Sequence, residues 1–207
     1  MRYTPPQKLS FSKKFSKKLI ASAVLFCFTS STVFALNGQI LDNDDMGADP
    51  SSSSFKKEFF QNEEFDAIQL SDVKPPVAHQ QFMISAYDSA VLTVSGSTYI
   101  KSYTDKYDEN NNWDTAIHAF YAGKGSTINL NGDINIEMAM SDDVETDYGM
   151  SAFYAEGEGA TINLGSEGAN LRIWVVADKP DSISAKEGGS VNFKSSHIQL
   201  VGSIDTM

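Results

Sequence analysis

Four carboxylates lie close together at Asp142, Asp143, Glu145 and Asp147, and an arginine, Arg172, sits two residues before Trp174. Clustered carboxylates beside a cation are the groups that acid–base chemistry uses, carboxylates to move a proton and a basic residue to handle the proton or an acidic substrate. The four fall in a single stretch, Met140 to Met150, and that stretch reads as a solvated acidic loop. The histidines His79, His118 and His197 sit in different contexts without metal-ligand spacing, so they read as surface or edge residues. Asp42, Asp44 and Asp45 lack the glycine turn and bidentate glutamate of a calcium loop, and read as solvated charge. No Gly-x-Ser-x-Gly elbow and no phosphate loop occurs. Catalytic, cofactor-binding and metal-binding residues are therefore expected to be none. The remaining chemistry is aromatic: Trp113 and Trp174, with Tyr87, Tyr99, Tyr121 and Tyr154, supply either a sugar-stacking surface or stacking along the fold itself.

Those residues are carried by repeats. Segments begin at Ile84 (ISAYDSAVLTVSG), Phe120 (FYAGKGSTINLNG), Phe153 (FYAEGEGATINLGSEG) and Ile183 (ISAKEGGSVNFKSS). Each carries an alanine, at Ala86, Ala122, Ala155 and Ala185. Each alanine is followed by an apolar–polar–apolar triplet: Leu92-Thr93-Val94, Ile128-Asn129-Leu130, Ile162-Asn163-Leu164 and Val191-Asn192-Phe193. Inside a repeat the hydrophobic period is two. Ile128, Leu130, Ile134 and Ile136 alternate with Thr127, Asn129, Asp133 and Asn135 across Asn131-Gly132, which reads as strand, tight turn, strand. A strand-turn-strand unit has nothing to bury its apolar face against until a like unit stacks on it. The expected fold is all-β: a right-handed parallel β-helix of about four rungs over residues 81–207, with the alanines and triplet aliphatics in inward columns and Asn129, Asn163 and Asn192 in an outward ladder. The last rung would show Val191, Phe193, Ile198 and Leu200 to water.

Two segments precede it. Residues 36–80 lack a period and hold Ser51 to Ser54 and Pro75–Pro76, which predicts an acidic flexible leader or N-terminal cap. Within it, Lys56 to Phe65 could form a helical turn or two, with Phe59, Phe60 and Phe65 over the open end. Residues 1–35 contain six basic and no acidic side chains, a ten-residue apolar core from Leu19 to Phe28, and Val33 and Ala35 at a cleavage site. This reads as a secretory signal peptide cleaved after Ala35, since ten apolar residues fall short of the roughly 20 that span a bilayer. Cys27, the one cysteine, lies inside it. The mature chain would then hold 10 basic and 27 acidic residues, a formal charge of −17 against −11 for all 207 residues. Such a charge disfavours nucleic acid and anionic lipid.

The pattern F-Y-A-x-x-G-[ST]-T-I-N-L-x-G, from Phe120 to Gly132 and loosened from Phe153 to Gly165, resembles passenger domains of autotransporters, which are similar to pertactin-like and pectin-lyase-like β-helices. The resemblance covers residues 81–207 and the basic signal. It implies a chain secreted across the inner membrane to the cell surface or medium, or left in the periplasm if no barrel is supplied. The family's C-terminal barrel is missing before Met207, so the expectation is the N-terminal part of a passenger. Two functions follow: a non-enzymatic surface segment with a structural or adhesive role, meeting host glycans or surface proteins after passing the secretion machinery, or alternatively a carbohydrate-active β-helix enzyme. No cofactor is implied.

Overall fold

In the computed structural model the described residues are 38–76, 81–105, 116–141, 149–177, 180–195 and 197–206. The chain divides into residues 1–36 and 37–207, and the described residues all belong to the second unit. The signal-peptide reading, Cys27, His79, Trp113 and the Asp142, Asp143, Glu145 and Asp147 group lie outside the described residues.

The described residues form a parallel β-solenoid. After β1 (Ile40–Asp42) the strands arrive in triplets: β2 (Lys57–Phe59), β3 (Glu63–Phe65) and β4 (Ala67–Val73); β5 (Gln81–Ala86), β6 (Val91–Val94) and β7 (Thr98–Thr104); β8 (Ala116–Ala122), β9 (Thr127–Leu130) and β10 (Ile134–Met140). Then come β11 (Gly149–Glu156), β12 (Thr161–Leu164) and β13 (Asn170–Val176); β14 (Asp181–Lys186), β15 (Ser190–Phe193) and β16 (His197–Val201); and finally β17 (Ser203–Thr206). Equivalent strands of successive coils hydrogen-bond in parallel and build three sheets. Sheet A runs β1-β4-β7-β10-β13-β16, sheet B runs β2-β5-β8-β11-β14-β17, and sheet C runs β3-β6-β9-β12-β15.

The register is the one the repeats imply. Ala86 pairs with Ala122, Ala122 with Ala155, and Ala155 with Ala185. The triplets also align, Leu92 with Ile128, Ile128 with Ile162 and Ile162 with Val191. Inward side chains therefore stack in columns; Leu92, Ile128, Leu130, Ile162 and Leu164 are fully buried. Burying one such side chain contributes about 1.5–3 kcal/mol, and each column repeats that gain coil after coil. Phe120 and Phe153 stack inside the coil with ring centroids 5.6 Å apart.

Residues 40–73, expected as a flexible leader or an N-terminal cap, are ordered strands at the N-terminal end of the coil. They contribute β1 to β4, and β2 to β4 form a coil ahead of the four that the repeats mark. The stretch from Lys56 to Phe65 is two short strands rather than helical turns. β2 pairs with β5, β3 pairs with β6, and the Asn62 side chain accepts from Val91 N–H at 2.9 Å between them. Ladder bonds to the next coil outweigh the weak local helical preference, because a turn or two of isolated helix is marginal in water. Phe59 and Phe65 are buried and meet edge to face at 5.8 Å, while Phe60 is 58% exposed. Asp42, Asp44 and Asp45 form a capped 3-10 turn: Asp42 accepts from Asp44 N–H, and Asp45 accepts from Asp42 N–H. At the other end Phe193 and Ile198 are exposed, while Val191 and Leu200 remain half-buried against the core. No helix among the described residues is long and apolar enough to cross a membrane.

Candidate functional site

A solenoid offers three outward faces, and each face is a set of columns one coil apart, about 4.8 Å per step. The three differ in what their side chains have left to give.

Sheet C spends its polar groups on itself. Asn129 donates to Thr93 at 3.4 Å, Asn163 to Asn129 at 2.9 Å and Asn192 to Asn163 at 3.1 Å. In the neighbouring column the Thr161 and Ser190 hydroxyls are 3.3 Å apart. Amides tied along the axis hold the coils in register and have little left for a ligand.

Sheet B spends its ring faces. Phe60 stacks on Tyr87, Tyr87 meets Tyr121, Phe82 stacks on Tyr121 at 4.1 Å, and Tyr121 meets Tyr154 at 5.6 Å. Rings packed face to face along the axis turn their edges outward, whereas a sugar stacks on a free face. Of the six aromatics that stand out in the sequence, Tyr87, Tyr121 and Tyr154 thus serve the fold. Tyr121 and Tyr154 both donate to Glu156, at 3.2 and 2.9 Å. Burial first, and the Glu156 carboxylate after it, push both phenols up, so they stay protonated donors.

The same sheet holds a serine–histidine contact, and His118, read from the sequence as a surface or edge residue, is in fact buried there. His118 Nδ1 lies 2.5 Å from Ser151 Oγ, with the imidazole between the rings of Phe82 and Tyr154 at 5.1 and 4.8 Å. Burial, helped by the Lys186 charge, lowers the histidine to about 3. A base that weak cannot take up a serine proton near neutral pH, where catalysis wants a value close to the ambient one. Ser151 is itself buried, so the pair is a structural bond inside the aromatic stack.

Sheet A exposes more of its outward side chains, although Arg172, Trp174 and Glu137 meet one another. Its outward columns run Gln69, Tyr99, Asn135, Arg172, Gln199 and, beside them, Lys101, Glu137, Trp174, Val201. A third holds Tyr103, Ala139 and Val176. Period-two alternation places them: in β7, β10 and β13 every second residue is buried and the others face out. Trp174 and Tyr103 are each 43% exposed. The Arg172 guanidinium lies 5.7 Å from the Trp174 ring centroid and 3.5 Å from Glu137. Towards β1 the face ends in a groove lined by Asp42, Asn43, Asp44, Gln69, Ser71 and Tyr99. Asn43 fixes that wall, donating to Ser71 O at 2.7 Å and accepting from Ser71 N–H at 3.2 Å.

Arg172 and Trp174, neighbours in the sequence, and Tyr99 all fall on this face. His197 starts β16 on the same sheet. Tyr103, Lys101 and Glu137 do not stand out in the sequence; their only signal is an outward position in an alternating strand. Chemically the face can stack, form ion pairs and hydrogen-bond; the outward side chains of β7, β10 and β13 include one carboxylate, Glu137. Among the described residues no three metal-ligating side chains come together. No family model matches the chain, and neither does any curated protein or solved structure.

Proposed function

We propose that the chain is an exported bacterial surface protein, a non-enzymatic, autotransporter-type passenger segment that makes adhesive contacts through the outer face of sheet A. One observation supports this reading: the described outward groups of sheets B and C include rings and amides that contact each other along the axis, whereas sheet A exposes Trp174 and Tyr103 beside Arg172, Lys101 and Glu137. Its partners are host glycans or surface proteins. The signal-like residues 1–35 and the lack of cysteine after Cys27 support export, because a chain without disulfides threads a secretion pore unhindered. A rod held by ladders and aliphatic columns needs no covalent staple outside the cell.

Protease shaving of intact Gram-negative cells that make the protein tests export. The chain should be cleaved at the cell surface, and N-terminal sequencing of surface or released material should begin at Leu36. Surface material that still carries residues 1–35 would contradict the reading.

A further inference from the structure

We propose that His118 makes the rod acid-sensitive: in mild acid its ring takes up a proton that it cannot hold inside the aromatic stack of sheet B, and the stack between β5, β8 and β11 opens. This device does not depend on what sheet A binds.

The register sets Phe82, His118 and Ser151 side by side on three successive coils. His118 stands on the face of sheet B that carries the tyrosine stack, yet it is only 6% exposed. Its ring lies nearly parallel to Phe82 and Tyr154, at interplanar angles of 24° and 14°, and its Nδ1 is bonded to the Ser151 hydroxyl. A neutral imidazole offers one donor and one acceptor nitrogen, and a hydroxyl can answer either. An imidazolium brings two donors and a full charge into the same place.

None of the neighbouring elements neutralises that charge. β5 brings Phe82 and no titratable side chain. β11 brings Ser151 and Tyr154, and the Tyr154 phenol donates to Glu156. Tyr121, on β8 itself, donates to the same carboxylate, so Glu156 is engaged by two phenols. β14 brings Lys186, whose ammonium lies 5.8 Å from the Tyr154 ring centroid and repels a second cation. Ring faces attract a cation, but loss of water from an unpaired charge costs more. Burial first, and Lys186 after it, therefore hold the folded ring at about 3, against its ordinary 6.5.

The sign follows from linkage. A folded value below the unfolded one means that the unfolded chain binds the proton first. The stabilisation is whole above the ordinary histidine value and is lost as pH falls from there towards the folded value. Between about pH 7.5 and about pH 5 this one site raises the unfolding equilibrium constant about thirtyfold. The carboxylates, which start to titrate at the lower end of that interval, add their own terms, so the effect is read as a difference between two chains.

Urea unfolding of the parent and of His118→Phe at both pH values supplies that difference. Phenylalanine keeps a flat ring against Phe82 and Tyr154 and removes the titration. Acidification should raise the parent's unfolding constant about thirtyfold more than the variant's. In the folded parent, the His118 ring resonances followed by NMR should stay in the neutral form across the interval. Equal pH dependence in the two chains overturns the proposal, and so does a folded-state ring that titrates near the ordinary histidine value. The ring titration needs no variant, so it decides the matter even if His118→Phe does not fold.

Discussion

Ile162→Asp is expected to destroy the cooperative melting transition, at a cost above about 4 kcal/mol, the range reserved for changes such as an unpaired charge in the core. Ile162 is fully buried, between Ile128 and Val191 in one column. An aspartate there cannot reach water without separating two coils, and those coils hold their neighbours. Asn163→Asp is the control. Asn163 lies one residue away, faces out, donates to Asn129 and accepts from Asn192. The carboxylate keeps the acceptor and loses the donor, a cost of about 1–2 kcal/mol. Thermal and urea unfolding of the two variants gives the comparison. If the asparagine change were the more damaging, the facing of β12 would be the reverse of that described.

Gly132→Ala is expected to cost about 3 kcal/mol, at the top of the range for overpacking. Asn131-Gly132 looks in sequence like a turn in which glycine supplies a left-handed backbone. The fold assigns it a different task. Gly132 is not among the glycines of positive φ; a Cβ there would run into the backbone carbonyl of Gly96 in the coil before it. Gly96 stands in the same relation to Asp66. Glycine lets consecutive coils close to ladder distance at this corner. The obstacle is backbone, which cannot swing aside as a side chain would. Gly168→Ala is a useful contrast: its Cβ would meet nothing within 4 Å, and only its φ of +84° is unfavourable. Urea midpoints should therefore fall further for Gly132→Ala than for Gly168→Ala. The reverse order would show that backbone conformation, and not coil contact, fixes these glycines.

The solenoid is legible in the sequence because stacking writes itself there twice. Alternation gives the facing of Ile128, Asn129 and Leu130, and recurrence of the alanine and triplet gives the register of the coils. The coil over residues 57–73 is not legible. β2 and β3 are only three residues each, too short to show a period, and their partners lie 27 to 29 positions further along the chain. The faces are legible only in part. Tyr87, Tyr121 and Tyr154 are equally aromatic whether they stack on a sugar or on each other. Coil register decides, and it brings Phe82 and Tyr121 to 4.1 Å, a contact no linear spacing announces. Tyr103 and Glu137 escape for a related reason: outward positions accept almost any residue, so only their assembly with Trp174 and Arg172 gives them meaning.

That one face of three makes the contacts is tested most directly by the adhesion of face-specific variants. Beads coated with the exported protein would be scored for retention on fixed epithelial layers. Joint replacement of Tyr103, Trp174 and Arg172 by Ala, Ala and Gln is expected to abolish retention, while replacing Thr93, Thr127 and Thr161 on sheet C by Ala leaves it intact. Retention unaffected by the first set, or lost equally with the second, would contradict a contact face on sheet A.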